Sequence, residues 1–172
     1  MENEVYKGKF LRVTEELMDN IVWERVYLPP GVIIYPITPE GKIIYIKELR
    51  PHETPNTRIK PVSGIYEPDK GSPSENALRE LQEEIGFAAD HLENFLTIKT
   101  TGTTNSDQYF FLATGLRPSK LPNPDGEDII METIEFSPEE LLEKYLNDEI
   151  RWSMSTLGFF RLNELLKTRK AK

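Results

Sequence analysis

The stretch from Ser72 to Phe87, S-P-S-E-N-A-L-R-E-L-Q-E-E-I-G-F, carries its own start and stop signals for a helix. Ser72 is an N-cap, Pro73 suits the first turn, and Glu75 completes a capping box from the third helical position. Gly86 supplies a residue that turns left-handed at the far end. At about 100° per residue, Ala77, Leu78, Leu81 and Ile85 share one arc, so this helix needs a core to lie on. Glu80, Glu83 and Glu84 fall together on a neighbouring arc, spaced i, i+3, i+4. Like charges at that spacing repel, and carboxylates in a last turn oppose the helix dipole, each by a few tenths of a kcal/mol. A positive partner is required to offset them, and a divalent cation is the simplest candidate.

The chain has 172 residues, 38% apolar and 29% charged, which fits one globular domain over 1–172 with a core of useful size. Residues 1–28 are expected to form an N-terminal strand extension. The net charge of −8 argues against nucleic acid and anionic membrane as partners, but a phosphate-bearing small molecule remains allowed wherever a metal neutralises the site locally. There is no Cys, which excludes disulfides, thiolate zinc sites and cysteine nucleophiles. The N-terminus, M-E-N-E-V-Y-K, has no apolar stretch of a signal peptide, and no run reaches membrane-spanning length. A cytoplasmic protein is the expectation.

Residues 8–14 and 21–27 read as strands rich in β-branched and aromatic types. After Pro29, Pro30 and Gly31, the runs 32–37 and 42–49 flank P-E-G and predict a hairpin. A polar loop follows at 51–58, then a short strand, Ile59 to Tyr66, and a loop into the helix. Residues 91–101 predict another strand, 101–107 a polar loop, and Gln108 to Ala113 the most apolar strand, expected to be central. Arg117 to Asp128 is a long Pro, Gly and Asp loop of the kind often used for function. Glu132 to Phe136 returns as a strand. Ser137-Pro138-Glu139-Glu140 repeats the cap signature and opens a helix to about Asn147, and a last amphipathic helix runs from about Ser153 to Lys167. The order of elements gives a mixed α/β (α+β) domain with the Ser72 helix packed on a sheet.

The run R-E-L-Q-E-E-I-G-F (79–87) matches the second half of the Nudix box, Arg-Glu-apolar-x-Glu-Glu-x-Gly-apolar, at every defined position. Together with Pro73, Ala77 and Gly64, it makes the chain resemble a Nudix hydrolase. The resemblance implies a mixed β-sheet core sandwiched by helices. Within the superfamily the chain is most similar to the ADP-ribose and nucleoside-diphosphate-sugar pyrophosphatases. The pointers are the extra N-terminal strand pair, E-L-R (48–50) where that group often has Q-Y-R, P-V-S-G (61–64) where it has P-A-G, and the late acidic loop.

This resemblance implies that Glu80, Glu83 and Glu84, with the carbonyl of Ser63, hold Mg²⁺ or Mn²⁺, and that Arg79 orients one of the carboxylates. Hard oxygen ligands shared with substrate phosphates suit Mg²⁺. The base that positions water would come from the late loop, where Glu127 is preferred, Asp128 is close behind, and Glu132 is a third choice. Arg50 is either a surface residue or a clamp on substrate phosphate or base, a role its guanidinium fork suits. Trp23, its neighbour Arg25, and Tyr27 are candidates for contact with the substrate, although a Trp in a strand is more often core or interface. His52, His91, Ser106 and Asp107 read as structural or turn residues. The sequence departs from the box in one place: Gly71, or Lys70 when counted from Gly64, stands where a Glu belongs, and the loop 67–73 carries one extra residue; either Glu67 or Asp69 substitutes or the site does without that carboxylate.

The expected activity is therefore metal-dependent cleavage of the diphosphate in a nucleoside diphosphate linked to another moiety, with ADP-ribose or an NDP-sugar leading. The alternatives are a Nudix hydrolase for nucleoside triphosphates or dinucleoside polyphosphates, and a silent Nudix-like module that senses a nucleotide. The subfamily resemblance also implies a homodimer, with residues 1–28 as its dimerisation element and the N-terminal strands reaching the partner's site.

Overall fold

The computed structural model describes residues 1–122 and 129–170. Glu127 and Asp128, the acids expected of the late loop, lie outside the described residues. The elements are β1 (Asn3–Lys7), β2 (Arg12–Met18), β3 (Ile21–Tyr27), β4 (Gly31–Pro36), β5 (Ile43–Leu49), β6 (Thr57–Ile65), α1 (Pro73–Glu80), β7 (Phe87–Thr100), β8 (Thr104–Pro118), β9 (Ile129–Phe136), α2 (Pro138–Leu146) and α3 (Ser153–Lys170). The strands join in one sheet, in the order β1-β2-β3-β8-β4-β6-β5-β9, with β7 paired to β8.

Strand alternation puts successive side chains on opposite faces, and the central strands are apolar on both. Ile33 and Tyr35 of β4, Ile43 and Tyr45 of β5, and Phe110 and Leu112 of β8 meet α2 and α3 through Leu141, Tyr145, Phe159 and Leu162. On the other face Val32, Ile34, Ile46, Phe111 and Ala113 meet Ala77 and Leu81, with Leu78 and Ile85 packed at the margin. The arc expected of the Ser72 helix is therefore the one that packs, and the sheet is sandwiched by helices. Buried hydroxyls are paired: Tyr35 donates to the Ser155 carbonyl at 2.9 Å, and Tyr145 bonds both Tyr45 and Ser155. Among the described residues no helix is long and apolar enough to cross a membrane.

Several expectations need correcting. The runs around P-E-G are not a hairpin. Their backbones pair only at the turn, through the Thr38 to Lys42 bond and the bridge Ile37 to Ile43, and then diverge, and β6 fills the gap. Its first half, Thr57 to Pro61, pairs with β5, and its second half, Val62 to Ile65, pairs with β4. The N-terminal extension is a three-strand meander, because Asn3–Lys7 pairs with β2 and residues 8–11 turn, with Gly8 N–H bonded to the Leu11 carbonyl. It joins the main sheet by a short parallel register, Val26 to Thr104 and Tyr27 to Asn105. Strands β7 and β8 form one long hairpin that absorbs most of the polar loop expected at 101–107.

The Ser72 helix also departs from regular α geometry. It is α-helical to Glu80, then Leu81–Ile85 forms a π-helical turn that ends at Gly86 with φ 76°. The Gly86 N–H reaches back to the Leu81 carbonyl, a bond one residue longer than an α-helical one. The segment after β8 closes this end: Leu121 N–H bonds the Gln82 carbonyl, Lys120 Nζ the Glu83 carbonyl at 2.7 Å, and Ser119 N–H the Gly86 carbonyl. These are the orphan carbonyls any helix C-terminus must satisfy.

Helix α3 approaches the sheet at Gly158, where an added Cβ would run into the Tyr35 hydroxyl and lie 2.6 Å from Cδ1 of Phe110. Ala is favoured over Gly in a helix by about 1 kcal/mol, but overpacking here costs about 1–3 kcal/mol and also displaces a buried hydrogen bond. Gly158→Ala is expected to lower unfolding free energy measured in urea, the reverse of its effect in an exposed helix.

Candidate active site

The site grows from the contact between α1 and β6. Glu80 ends α1 and lays its carboxylate on the backbone of Gly64, so closely that a Cβ at residue 64 would overlap it. Only glycine allows this approach. Burial, followed by the charges of Glu84 and Glu83, pushes the Glu80 carboxyl up to about 7. The like-charge clustering read from the helix is thus present as a physical cost.

Asn76, one turn before Glu80 and only 2% exposed, organises the approach. Its Nδ2 donates to Glu80 Oε1 at 3.1 Å, while its Oδ1 accepts from Arg79 at 3.2 Å and from the Glu67 N–H at 3.4 Å. Arg79 is thus linked to the Glu80 carboxylate through Asn76. This residue was missed in the sequence, although its i, i+4 spacing to Glu80 was there to find.

The π turn aims Glu84 at β6, where Oε2 accepts the Ser63 N–H at 3.1 Å. Glu84 Oε1 lies 3.5 Å from the ammonium of Lys60, which is 3% exposed and also sits 3.2 Å from Glu48 Oε2. Lys60 further bonds the Ser63 hydroxyl at 2.9 Å and the Ser63 carbonyl at 3.4 Å. Arg50 donates from Nε to the other Glu48 oxygen at 2.7 Å. A chain of alternating charge thus runs Arg50, Glu48, Lys60, Glu84. Each strand carries a second charge, Lys47 in β5 and Arg58 in β6, and no pattern marks which is buried, so Lys60 was not singled out and Glu48 entered only within E-L-R (48–50).

Arg50, Lys60, Ser63, Gly64, Gln108 and Trp152 line a cleft of about 470 Å³, with Phe10 from the 8–11 turn at its edge. The structure thus brings Arg50 to the site. Trp152, in the connection between α2 and α3, and Phe10 are the aromatics found there; no sequence pattern marked either for the site. A larger cavity of about 710 Å³ shares Trp152 and is lined by Arg58, Arg151 and Asp148, away from the carboxylates. Trp23 is 52% exposed on the N-terminal meander. Arg25 is engaged with Glu16 at 3.2 Å, and Tyr27 donates to Glu2 and stacks under Arg12; none of the three lines the cleft. His52 faces Glu53 near the surface, and Glu132 is an exposed residue of β9 opposite Lys47.

The altered loop has a structural reason. Pro68–Lys70 forms a single 3-10 turn that takes up the extra residue, and the Lys70 ammonium pairs with Glu67 at 2.7 Å. Gly71, at φ 125°, then lets the Glu75 carboxylate close on Ser72; a Cβ there would lie 2.7 Å from Glu75 Oε2. Gly71, one of the two positions where a Glu was expected, leaves room for the capping box of α1.

No three Asp, Glu, His or Cys side chains among the described residues converge on one point as a ready cation cage. The donor set nevertheless fits a divalent ion that is held by one or two carboxylates and completed by substrate phosphates, because Glu80, with Glu83 and Glu84 beside it, brings negative charge that burial penalises.

The family model of the NUDIX domain matches residues 27–156. This chain belongs to the Nudix family. It is 31% identical over 152 residues to an ADP-ribose pyrophosphatase of Bacillus subtilis (strain 168), covering 86% of this chain and 80% of the relative. It is also 31% identical over 151 residues to a methanol dehydrogenase activator of Bacillus methanolicus, covering 84% and 78%. A crystal structure of an ADP compounds hydrolase superposes with a TM-score of 0.82 at 22% identity, over 98% of this chain and 93% of that one, which supports the fold. The protein is accordingly a Nudix hydrolase, similar to ADP-ribose pyrophosphatase.

Two outcomes are expected of this Nudix site. Gly64→Ala should displace the Glu80 carboxylate and, since a misplacement of about 1 Å costs on the order of 10²-fold in rate, lower kcat by that order while circular dichroism stays native. In EDTA, the raised Glu80 carboxyl means the folded chain binds more protons than the unfolded one between pH 4.5 and about 7, so stability falls as pH rises through that window. Glu80→Gln should flatten this slope and raise Tm at pH 8 relative to wild type, as read by calorimetry.

Proposed function

We propose that this Nudix hydrolase is a divalent-cation-dependent pyrophosphohydrolase that cleaves a nucleoside diphosphate linked to a second moiety, with ADP-ribose or an NDP-sugar as substrate. The products would be a nucleoside monophosphate and the phosphorylated second moiety. The observation that carries the reading is the Glu80 carboxylate seated on Gly64 beside a cleft that also offers Arg50 and Trp152. The likeness to an ADP-ribose pyrophosphatase supports the substrate class.

Carboxylates of the set Glu80, Glu83 and Glu84 would hold Mg²⁺ or Mn²⁺, which when bound spreads the charge of the diphosphate and lowers the pKa of water. The residues of the chain do the rest. Asn76 and Arg79 hold Glu80 in place, and Arg50, braced by Glu48, presents a fork to a phosphate or base at the cleft. Trp152 offers an aromatic face for a base or sugar. Glu127 or Asp128 takes the proton of the attacking water. The N-terminal meander supports a homodimer, since it exposes Val5, Tyr6, Leu17, Ile21, Val22 and Trp23.

Steady-state kinetics with Mg²⁺ on ADP-ribose, NDP-sugars, dinucleoside polyphosphates and nucleoside triphosphates tests this. Turnover of ADP-ribose or an NDP-sugar to the monophosphate is expected, with Glu83→Gln reducing kcat on the order of 10²-fold. Release of inorganic pyrophosphate from a triphosphate as the preferred reaction would move the protein to the other Nudix class. Absence of turnover on every diphosphate by folded protein would overturn the reading.

A further inference from the structure

Lys60 is the least expected residue near the carboxylates. Its ammonium lies among four oxygens from three residues: Ser63 Oγ at 2.9 Å, Glu48 Oε2 at 3.2 Å, the Ser63 carbonyl at 3.4 Å and Glu84 Oε1 at 3.5 Å. That is an oxygen cage for a cation, closed to the extent that the lysine side chain is 3% exposed. Lys60 donates hydrogen bonds to the two Ser63 oxygens, while Glu48 Oε2 and Glu84 Oε1 face it at ion-pair distance, and all four lie well beyond the about 2.0–2.1 Å to which Mg²⁺ draws its oxygens. Two of the four donors that the Nudix resemblance assigns to metal face this ammonium, Ser63 through hydrogen bonds and Glu84 through an ion pair.

We propose that the Lys60 ammonium is a tethered cation that permanently takes one cation position of this site. Glu84 and Ser63 then serve Lys60, and Glu80 and Glu83 hold the divalent ion together with the substrate's phosphates. Lys60 is on this view a positioning residue: it sets how many metal ions the site takes without touching the reacting atoms. The proposal rests on the metal-dependent reading above. The physical reason is charge balance. Glu48 and Glu84 are buried, Glu80 lies on Gly64 within reach of the Glu84 charge, and the Lys60 charge lowers the cost of keeping Glu80 ionised there. A second divalent ion on Glu84 and the Ser63 carbonyl would have to share those oxygens with a fixed positive charge a few ångströms away, and like charges in a site of low dielectric repel strongly.

Replacing Lys60 by an uncharged side chain of similar length should therefore open a metal position. Mn²⁺ binding followed by electron paramagnetic resonance is expected to give one more bound ion per chain for Lys60→Met than for wild type, with Lys60→Arg keeping the wild-type count. A purely structural ion pair would not change that count. In crystals of wild type soaked in Mn²⁺, the anomalous peak should sit against Glu80 and Glu83, with Lys60 in place. An unchanged stoichiometry in folded Lys60→Met, or a wild-type peak on Glu84 and the Ser63 carbonyl with Lys60 expelled, overturns the proposal while leaving metal-dependent hydrolysis intact. A wild type that binds no Mn²⁺ overturns both. Should Lys60→Met fail to fold, the wild-type anomalous map decides alone.

Discussion

An ammonium held among carboxylates beneath a helix is the interaction on which the rest of the molecule depends. Lys60 belongs to β6, Glu48 to β5 and Glu84 to the π turn after α1. Their pairing joins sheet to helix at the one place where both carry function. Removing one partner of a buried pair leaves an uncompensated charge, at a cost of about 3–5 kcal/mol. The register of β6 is therefore fixed by more than apolar burial. A slip of one residue would turn Lys60 to the other face, and would carry the Ser63 N–H away from Glu84 and Gly64 from beneath Glu80.

That register depends in turn on β6 entering between β4 and β5. The strand changes partner in mid-course, leaving β5 at Pro61 and joining β4 at Val62. Proline has no N–H to donate, so the change falls where a continuous ladder would be broken in any case. The residues just past this point, Ser63 and Gly64, meet Glu84 and Glu80. The cleft wall and the helix platform are thus two consequences of one strand exchange.

What was legible in the sequence was what is local. Both capping boxes, Ser72 with Glu75 and Ser137 with Glu140, are formed as read, because the cap needs only residues three apart. The packing arc of α1 came directly from its period. The false hairpin at P-E-G came from trusting a turn signal: it marks where the chain reverses, not which strand will lie beside it. The π turn was hidden because Gly86 ends an α-helix and a wider turn with the same residue type. Lys60, Glu48 and Trp152 needed tertiary structure, since each becomes part of the site only when a distant segment is laid beside it. Trp23 and Arg25 lie on the N-terminal meander, which brings Phe10 but neither of them to the cleft of its own chain.

The two ends of the Ser72 helix differ in how they meet a change of chain length. Before it, one surplus residue is coiled into a 3-10 turn and Gly71, and the capping box closes undisturbed. After it, the π turn makes the residue count part of the geometry. Deleting one residue between Leu81 and Ile85 would restore α-helical phase and rotate the downstream chain by about 100°, swinging Glu84 off Ser63 and the entry into β7 off its partner strand. Length variation in this protein is thus tolerated upstream of the carboxylates and forbidden among them, an asymmetry that homologous sequences and insertion libraries should display at these two points.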